Sequence, residues 1–241
     1  MSARSNNNIP TPQSSSTIVD GVTDPRPVAK VPDYGPSVLA AHAEKLHSSG
    51  ISSMVAKQRG YRTVETQAEL KRMGLACSAP ALVFPLWGVH GDLVGWQARP
   101  DMPRVGKNGR LLKYEFPRYQ SNVLDVPRSV TAMLGDPSVR LVITEGTLKA
   151  DSAVSIGMAC VSIGGVWNWR ATNSLGGKVT LADFDEVAFN DRIVVLAFDS
   201  DAVNKPSVQM ALSRFAGVLS GRGAQVRYVR WCLSDGVEVS A

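Results

Sequence analysis

Two stretches decide the fold: Leu141-Val142-Ile143-Thr144-Glu145-Gly146 and Ile193-Val194-Val195-Leu196-Ala197-Phe198-Asp199-Ser200-Asp201. Each is an apolar, largely β-branched run that stops abruptly at acidic side chains, the pattern of a buried parallel strand whose carboxyl end opens onto a site. In open α/β sheets ligands bind beyond the carboxyl ends of the strands. Glu145, Asp199 and Asp201 can therefore converge although they lie far apart in the chain. Three carboxylates brought together repel one another unless a cation sits among them, and oxygen-only ligands suit Mg²⁺ or Mn²⁺. The expectation is a metal-dependent site acting on phosphates.

Outward from these strands the chain reads as repeated βα units. A helix is predicted from Thr147 to Ile156, with Leu148, Ala150, Ala153, Val154 and Ile156 mostly inward and Gly157 closing it. A strand from Ala159 to Ile163 runs into Gly164-Gly165 and the Trp-rich segment Val166-Trp167-Asn168-Trp169-Arg170, and residues 171–177 read as a polar loop. Beyond the Asp199 tip, Pro206 to Ser220 buries Val208, Ala211, Leu212, Phe215 and Leu219 at helical spacing, with Pro206 suited to the first turn. Gln225 to Arg230 is expected as the last strand. The sum over 138–241 is a parallel sheet with flanking crossover helices, an α/β domain.

Upstream, residues 1–33 are rich in Ser, Asn, Thr and Pro and too poor in large apolar side chains to offset their ordering entropy, so a disordered leader is expected. Residues 34–137 read as a small α+β subdomain. Its first helix carries Val38, Leu39, His42, Ala43 and Leu46. A second turns Ile51, Met54 and Val55 inward, a third runs from Glu65 to Met73, and Pro127 and Pro137 bracket a short helix around Val130 to Leu134. Ala81–Leu86 and Leu93–Arg99 form a hairpin with His90 in its turn. The loop that follows interleaves Arg99, Arg104, Lys107, Arg110, Lys113 and Arg118 with Tyr114, Phe116 and Tyr119. Cations for phosphates beside rings for bases are the composition of a single-strand or nucleotide groove, and a solvated basic loop is the plainer alternative.

Composition narrows the class. With 241 residues and 44% hydrophobic side chains the chain buries a full core, and its net charge of +5 fits a polyanionic partner. Cys77, Cys160 and Cys232 are odd in number and form no CxxC pair, which argues against a disulfide framework or a cysteine zinc ribbon and for a reducing compartment. No run approaches a membrane span and no apolar signal core opens the sequence, so a cytoplasmic protein without a membrane partner is expected.

A strand ending in Glu145-Gly146, followed much later by one ending in Asp199-Ser200-Asp201, resembles the TOPRIM domain of bacterial-type primases, topoisomerases, RecR-like proteins and OLD-type nucleases. Upstream, Phe84-Pro85-Leu86, Val94-Gly95-Trp96, Arg99 and Lys113-Tyr114 with Pro117 are similar to the first part of the bacterial primase catalytic core. From about Leu46 to Trp231 the chain resembles an uncharacterised TOPRIM family of phage, plasmid and actinobacterial replication proteins. This second likeness rests on Arg99-Pro100-Asp101, Lys113-Tyr114, Glu145-Gly146 with Lys149-Ala150-Asp151, Gly165-Val166-Trp167-Asn168-Trp169 and Phe198-Asp199-Ser200-Asp201.

The resemblance implies a TOPRIM-type sheet preceded by a primase-core-like subdomain, and a nucleotidyltransferase that makes short primers on single-stranded DNA. In it Asp199 and Asp201 hold Mg²⁺ or Mn²⁺, and Glu145 ligates the ion or serves as general acid or base. Lys149, one turn beyond Glu145, reaches a phosphate or pairs with that carboxylate. Arg99, Arg104, Lys107, Lys113, Tyr114, Arg118 and Arg170 bind nucleic acid or nucleotide, and a separate replicative helicase is a possible partner. Asp151 reads equally as support for the site or as a solvated helix residue. Trp167 and Trp169 read as base-stacking rings or as a plug in the core. The Cys and His spacing supplies no zinc-binding domain of the kind primases commonly carry, and no Walker A loop is present. The same carboxylates also suit a nuclease, a non-catalytic replisome module retains the fold without the reaction, and a phosphatase with an Asp-x-Asp nucleophile ranks last because that motif comes late in this chain.

Overall fold

In a computed structural model, the described residues are 31–106, 109–199, 205–231 and 237–240, with side chains described as far as residue 229. The expected leader up to residue 30, Lys107, Ser200 and Asp201 lie outside them. From Tyr34 on, the chain builds α1 (Ala40–Ser48), α2 (Ser53–Arg59), β1 (Arg62–Val64), α3 (Gln67–Arg72), β2 (Ala81–Trp87) and β3 (Leu93–Pro100). The α2 helix starts where the Ser52 hydroxyl accepts from Val55 N and stops at Gly60, whose φ of 89° suits glycine.

The three strands form an antiparallel sheet in the order β1-β2-β3. The central strand is buried on both faces. Leu82 and Phe84 pack with Leu46, Ile51, Val55 and Tyr61, while Ala81 and Val83 pack with Leu70, Leu75 and Ala98. The hairpin is where the sequence put it. β1 is additional, its three residues being too few to show a period, and Met54, expected inward, is 65% exposed.

The second half comprises β4 (Leu141–Thr144), α4 (Thr147–Ser155), β5 (Cys160–Ser162), β6 (Arg170–Thr172), β7 (Lys178–Thr180), β8 (Ile193–Ala197), α5 (Pro206–Gly221), β9 (Gln225–Trp231) and β10 (Val237–Ser240). Five of these strands form one sheet in the order β10-β9-β8-β4-β5, parallel except for β10 against β9.

Four expectations need correction. The last strand is β10, not the stretch ending at Arg230. Residues 171–177 are not merely a loop, because β6 and β7 pair as a hairpin. Its turn is closed by Asn173, whose Oδ1 accepts from Leu175 N at 3.1 Å and Gly177 N at 2.7 Å. The short helix after Pro127 is a single 3₁₀ turn, Thr131–Met133. Finally, Ile156 sits past the end of α4 and is 72% exposed.

The sheet is held by Leu141, Ile143, Val161, Ile163, Val194 and Leu196, packed with Phe184, Phe189, Phe215 and Leu219. Trp169 stacks on Phe215 with ring centroids 5.3 Å apart, so this ring is core. Buried Arg192 fixes the approach to β8 by donating to the carbonyls of Met133, Leu134, Val139 and Ala188. No helix among the described residues is long and apolar enough to cross a membrane.

Candidate active site

The sheet order creates a switch point. From β4 the chain crosses to β5 on one side, then returns to lay β8 on the other, with Thr144 opposite Ala197. The carboxyl ends of β4 and β8 are thus neighbours, the place where open α/β sheets bind ligands. Glu145 leaves β4 directly and Asp199 leaves β8 two residues on. Lys149, on the first turns of α4, donates from Nζ to Glu145 Oε1 at 2.8 Å and also to Asp199 Oδ1. One ammonium therefore collects carboxylates from two strand ends.

The two acids differ electrostatically. Burial, and next its hydrogen bond with Asp199, raises the Glu145 carboxyl above its ordinary range. Asp199 is lowered, first by the hydrogen bond with Glu145 and then by Lys149, and its more exposed side chain pays less for its charge. Two oxygens facing one point form a donor set suited to a hard divalent ion, so the chemistry of the pair fits Mg²⁺ or Mn²⁺. Asp201, the third expected ligand, lies outside the described residues, and the described residues contain no cluster of three candidate ligands. Gly146 between strand and helix has an extended φ of −142° and no atom within 4 Å of where a Cβ would lie. The space over the Glu145 peptide is open.

The basic segment is unevenly committed. Arg99 donates to Tyr114 Oη at 2.9 Å and lies over its ring at 5.3 Å. Arg104 forms a two-point pair with buried Glu115, 2.9 and 2.6 Å, and Glu115 is bridged to Ala98 of β3, so Arg104 pins the loop and its charge is largely cancelled. Lys113 and Arg118 are exposed and form no ion pair with a described residue. Arg170 stacks 4.1 Å from the Trp167 ring. The segment continues into a cleft of about 100 Å³ beside the start of α4, lined by Phe116, Asn122, Asp125, Thr147, Ser162 and Asn168. Asp183 and Asp185 are both engaged: Asp183 accepts from Leu124 N at 2.7 Å and Asp185 pairs with Arg222 at 2.7 Å.

Sequence reasoning missed what lies beneath the site. Arg59 of α2 is 2% exposed and grips Asp151 of α4 through Nε at 2.9 Å and Nη2 at 2.7 Å, while Nη1 reaches Asp125 at 2.5 Å. Tyr61 Oη donates to Asp151 at 2.7 Å, and Ser162 Oγ to Asp125 at 3.0 Å. Asp151 is therefore wholly buried rather than solvated. The available signal was its position on the inward stripe with Thr147, Leu148 and Ala150. This network ties α2 and β2 to the helix that carries Lys149. His42 is likewise structural, set between Thr63 and Asp101 at 2.7 Å each.

The mixed α/β fold with a parallel sheet and flanking helices matches the fold of primase catalytic cores. The *Aquifex aeolicus* primase, zinc-binding and RNA polymerase domains, superposes with a TM-score of 0.55 at 13% identity over 82% of this chain and 51% of that one. The RNA polymerase domain of *Mycobacterium tuberculosis* primase DnaG gives 0.51 at 16% over 80% and 68%. A DnaG primase catalytic domain bound to single-stranded DNA gives 0.52 at 15% over 81% and 65%. The chain thus spans about half of the first of these structures and about two thirds of the others. In sequence, residues 131–238 match a family described as a domain of unknown function (DUF3854). No curated protein matches the chain.

Proposed function

We propose that this chain is a DNA primase-like nucleotidyltransferase of the phage and plasmid replication type, with a TOPRIM domain over 138–241 and a substrate-gripping subdomain over 34–137. The observation that carries the reading is the convergence of Glu145 and Asp199 on one cation at the switch point of a primase-core fold. Glu145, Asp199 and Asp201 are the residues to hold Mg²⁺ or Mn²⁺, which when bound neutralises phosphate charge and orients attacking and leaving oxygens. Glu145 either ligates that ion or serves as the proton acceptor or donor at its carboxyl oxygen. Lys113, Arg118 and Lys107 supply phosphate contacts along single-stranded DNA. Arg99 with Tyr114, and Arg170 with Trp167, offer cation-ring pairs for nucleotides, and Arg104 shapes the loop. A separate replicative helicase is the expected partner in the cell.

The test is to incubate the purified protein with single-stranded template, labelled nucleotides and Mg²⁺ or Mn²⁺. Short oligomers are expected from the native chain and none from Asp199→Ala at unchanged melting temperature. Synthesis at the native rate by that variant ends the reading. Template cleavage instead assigns the same carboxylates to a nuclease, and retention of DNA without either product assigns the chain to a binding module.

A further inference from the structure

We propose that Lys149 is a built-in counter-cation: it occupies the position between Glu145 and Asp199 that a divalent ion takes, and so sets the ion affinity of the site. This rests on the metal reading above. The Nζ atom already engages Glu145 Oε1 at 2.8 Å and Asp199 Oδ1. A Mg²⁺-sized ion requires such oxygens at roughly 2.0–2.1 Å. The ammonium and the ion are therefore mutually exclusive on the same two atoms.

The backbone of α4 does not move aside, since two residues further on Asp151 is clamped by Arg59 and Tyr61 in the protein interior. Only the Lys149 side chain gives way. It is 44% exposed and swings on a flexible stem to the mouth of the site, where an anionic phosphate receives it. With no ion, the ammonium keeps two mutually repelling acids together and the site assembled. With an ion present it becomes a cation at the rim, repelling the ion until a polyphosphate lies between them. Lys149 thereby couples entry of the ion to arrival of a phosphate-bearing substrate, a role different from that of a simple phosphate ligand.

Mn²⁺ binding to the full chain, followed by electron paramagnetic resonance and calorimetry without nucleotide, tests this. Lys149→Met is expected to bind Mn²⁺ at least about fivefold more tightly than the native chain, since two partly exposed ion pairs no longer compete. Lys149→Arg keeps the charge and stays within about twofold of native. Equal or weaker binding by Lys149→Met overturns the proposal and leaves the metal site standing. Absence of Mn²⁺ binding in both proteins, or binding that Asp199→Asn does not weaken, overturns the metal reading and this inference with it. Should Lys149→Met melt early, Lys149→Gln carries the same comparison.

Discussion

Gly146 and Gly165 each follow a strand of the main sheet, yet for different physical reasons. Gly165 has a φ of 150°, where L side chains are rarely found, and a Cβ there would meet Asn168 Nδ2 at 3.2 Å. Gly165→Ala should lower stability by about 1–3 kcal/mol in urea titration. Gly146 meets neither obstacle, so Gly146→Ala should remain within about 1 kcal/mol of the native chain. The same substitution should nevertheless cut oligomer synthesis at least tenfold, because the empty space over its Cα is then reserved for substrate. Native synthesis by Gly146→Ala would make that glycine incidental. At this scale the acids were legible because chemistry at a strand end leaves an abrupt change from apolar to acidic residues. Lys149 was legible as one helical turn from Glu145, but its contact with Asp199 spans fifty residues and waited for the fold.

Helix α4 works on two faces, with Lys149 toward the carboxylates and Asp151 into the interior. Arg59→Met leaves Asp151 and Asp125 buried without their cation and should cost about 3–5 kcal/mol in denaturant midpoints. Tyr61→Phe removes one hydrogen bond to a charged acceptor and should cost about 1.5–3 kcal/mol at neutral pH. The Tyr61 hydroxyl is held well above its ordinary value of 10.0, chiefly by burial and then by the Asp151 carboxylate. Its protonated form thus belongs to the folded state more than to the unfolded one. The stabilisation is full below pH 10.0 and is lost as pH rises beyond it. The stability gap between native and Tyr61→Phe should therefore narrow in alkali, and a gap that widens would contradict the assignment. The long periodic elements were readable from sequence, whereas β1, β6 and β7 were not, since these three-residue strands lack the fully buried apolar run that marks β5. The Arg59 network was hidden because its partners lie 66 and 92 residues away, and its one local signal was the charged Asp151 on the inward stripe of α4.

For the whole molecule, a net charge of +5 says only that a polyanion is tolerated; where the charge is free decides its use. Single-stranded DNA binding should weaken with salt. Lys113→Ala and Arg118→Ala should each reduce the log-log slope by about 0.7, because each side chain is exposed and forms no described ion pair. Arg104→Ala should leave the slope nearly unchanged, since Glu115 already neutralises that guanidinium. Equal slopes for all three variants would remove the basic segment from the DNA track. The α/β class and the site's place in it were legible because a switch point follows from strand order, and strand order is constrained by right-handed crossovers. The embrace of α4 by the first subdomain was not, since it depends on buried charges meeting across the chain. The central claim is that strand-end carboxylates hold the working ion, and a crystal grown with Mn²⁺ and a non-hydrolysable nucleotide tests it most directly. An anomalous peak bonded to Glu145 and Asp199, with Lys149 turned away toward phosphate, is the predicted result; a peak elsewhere, with those carboxylates still closed on Lys149, would contradict it.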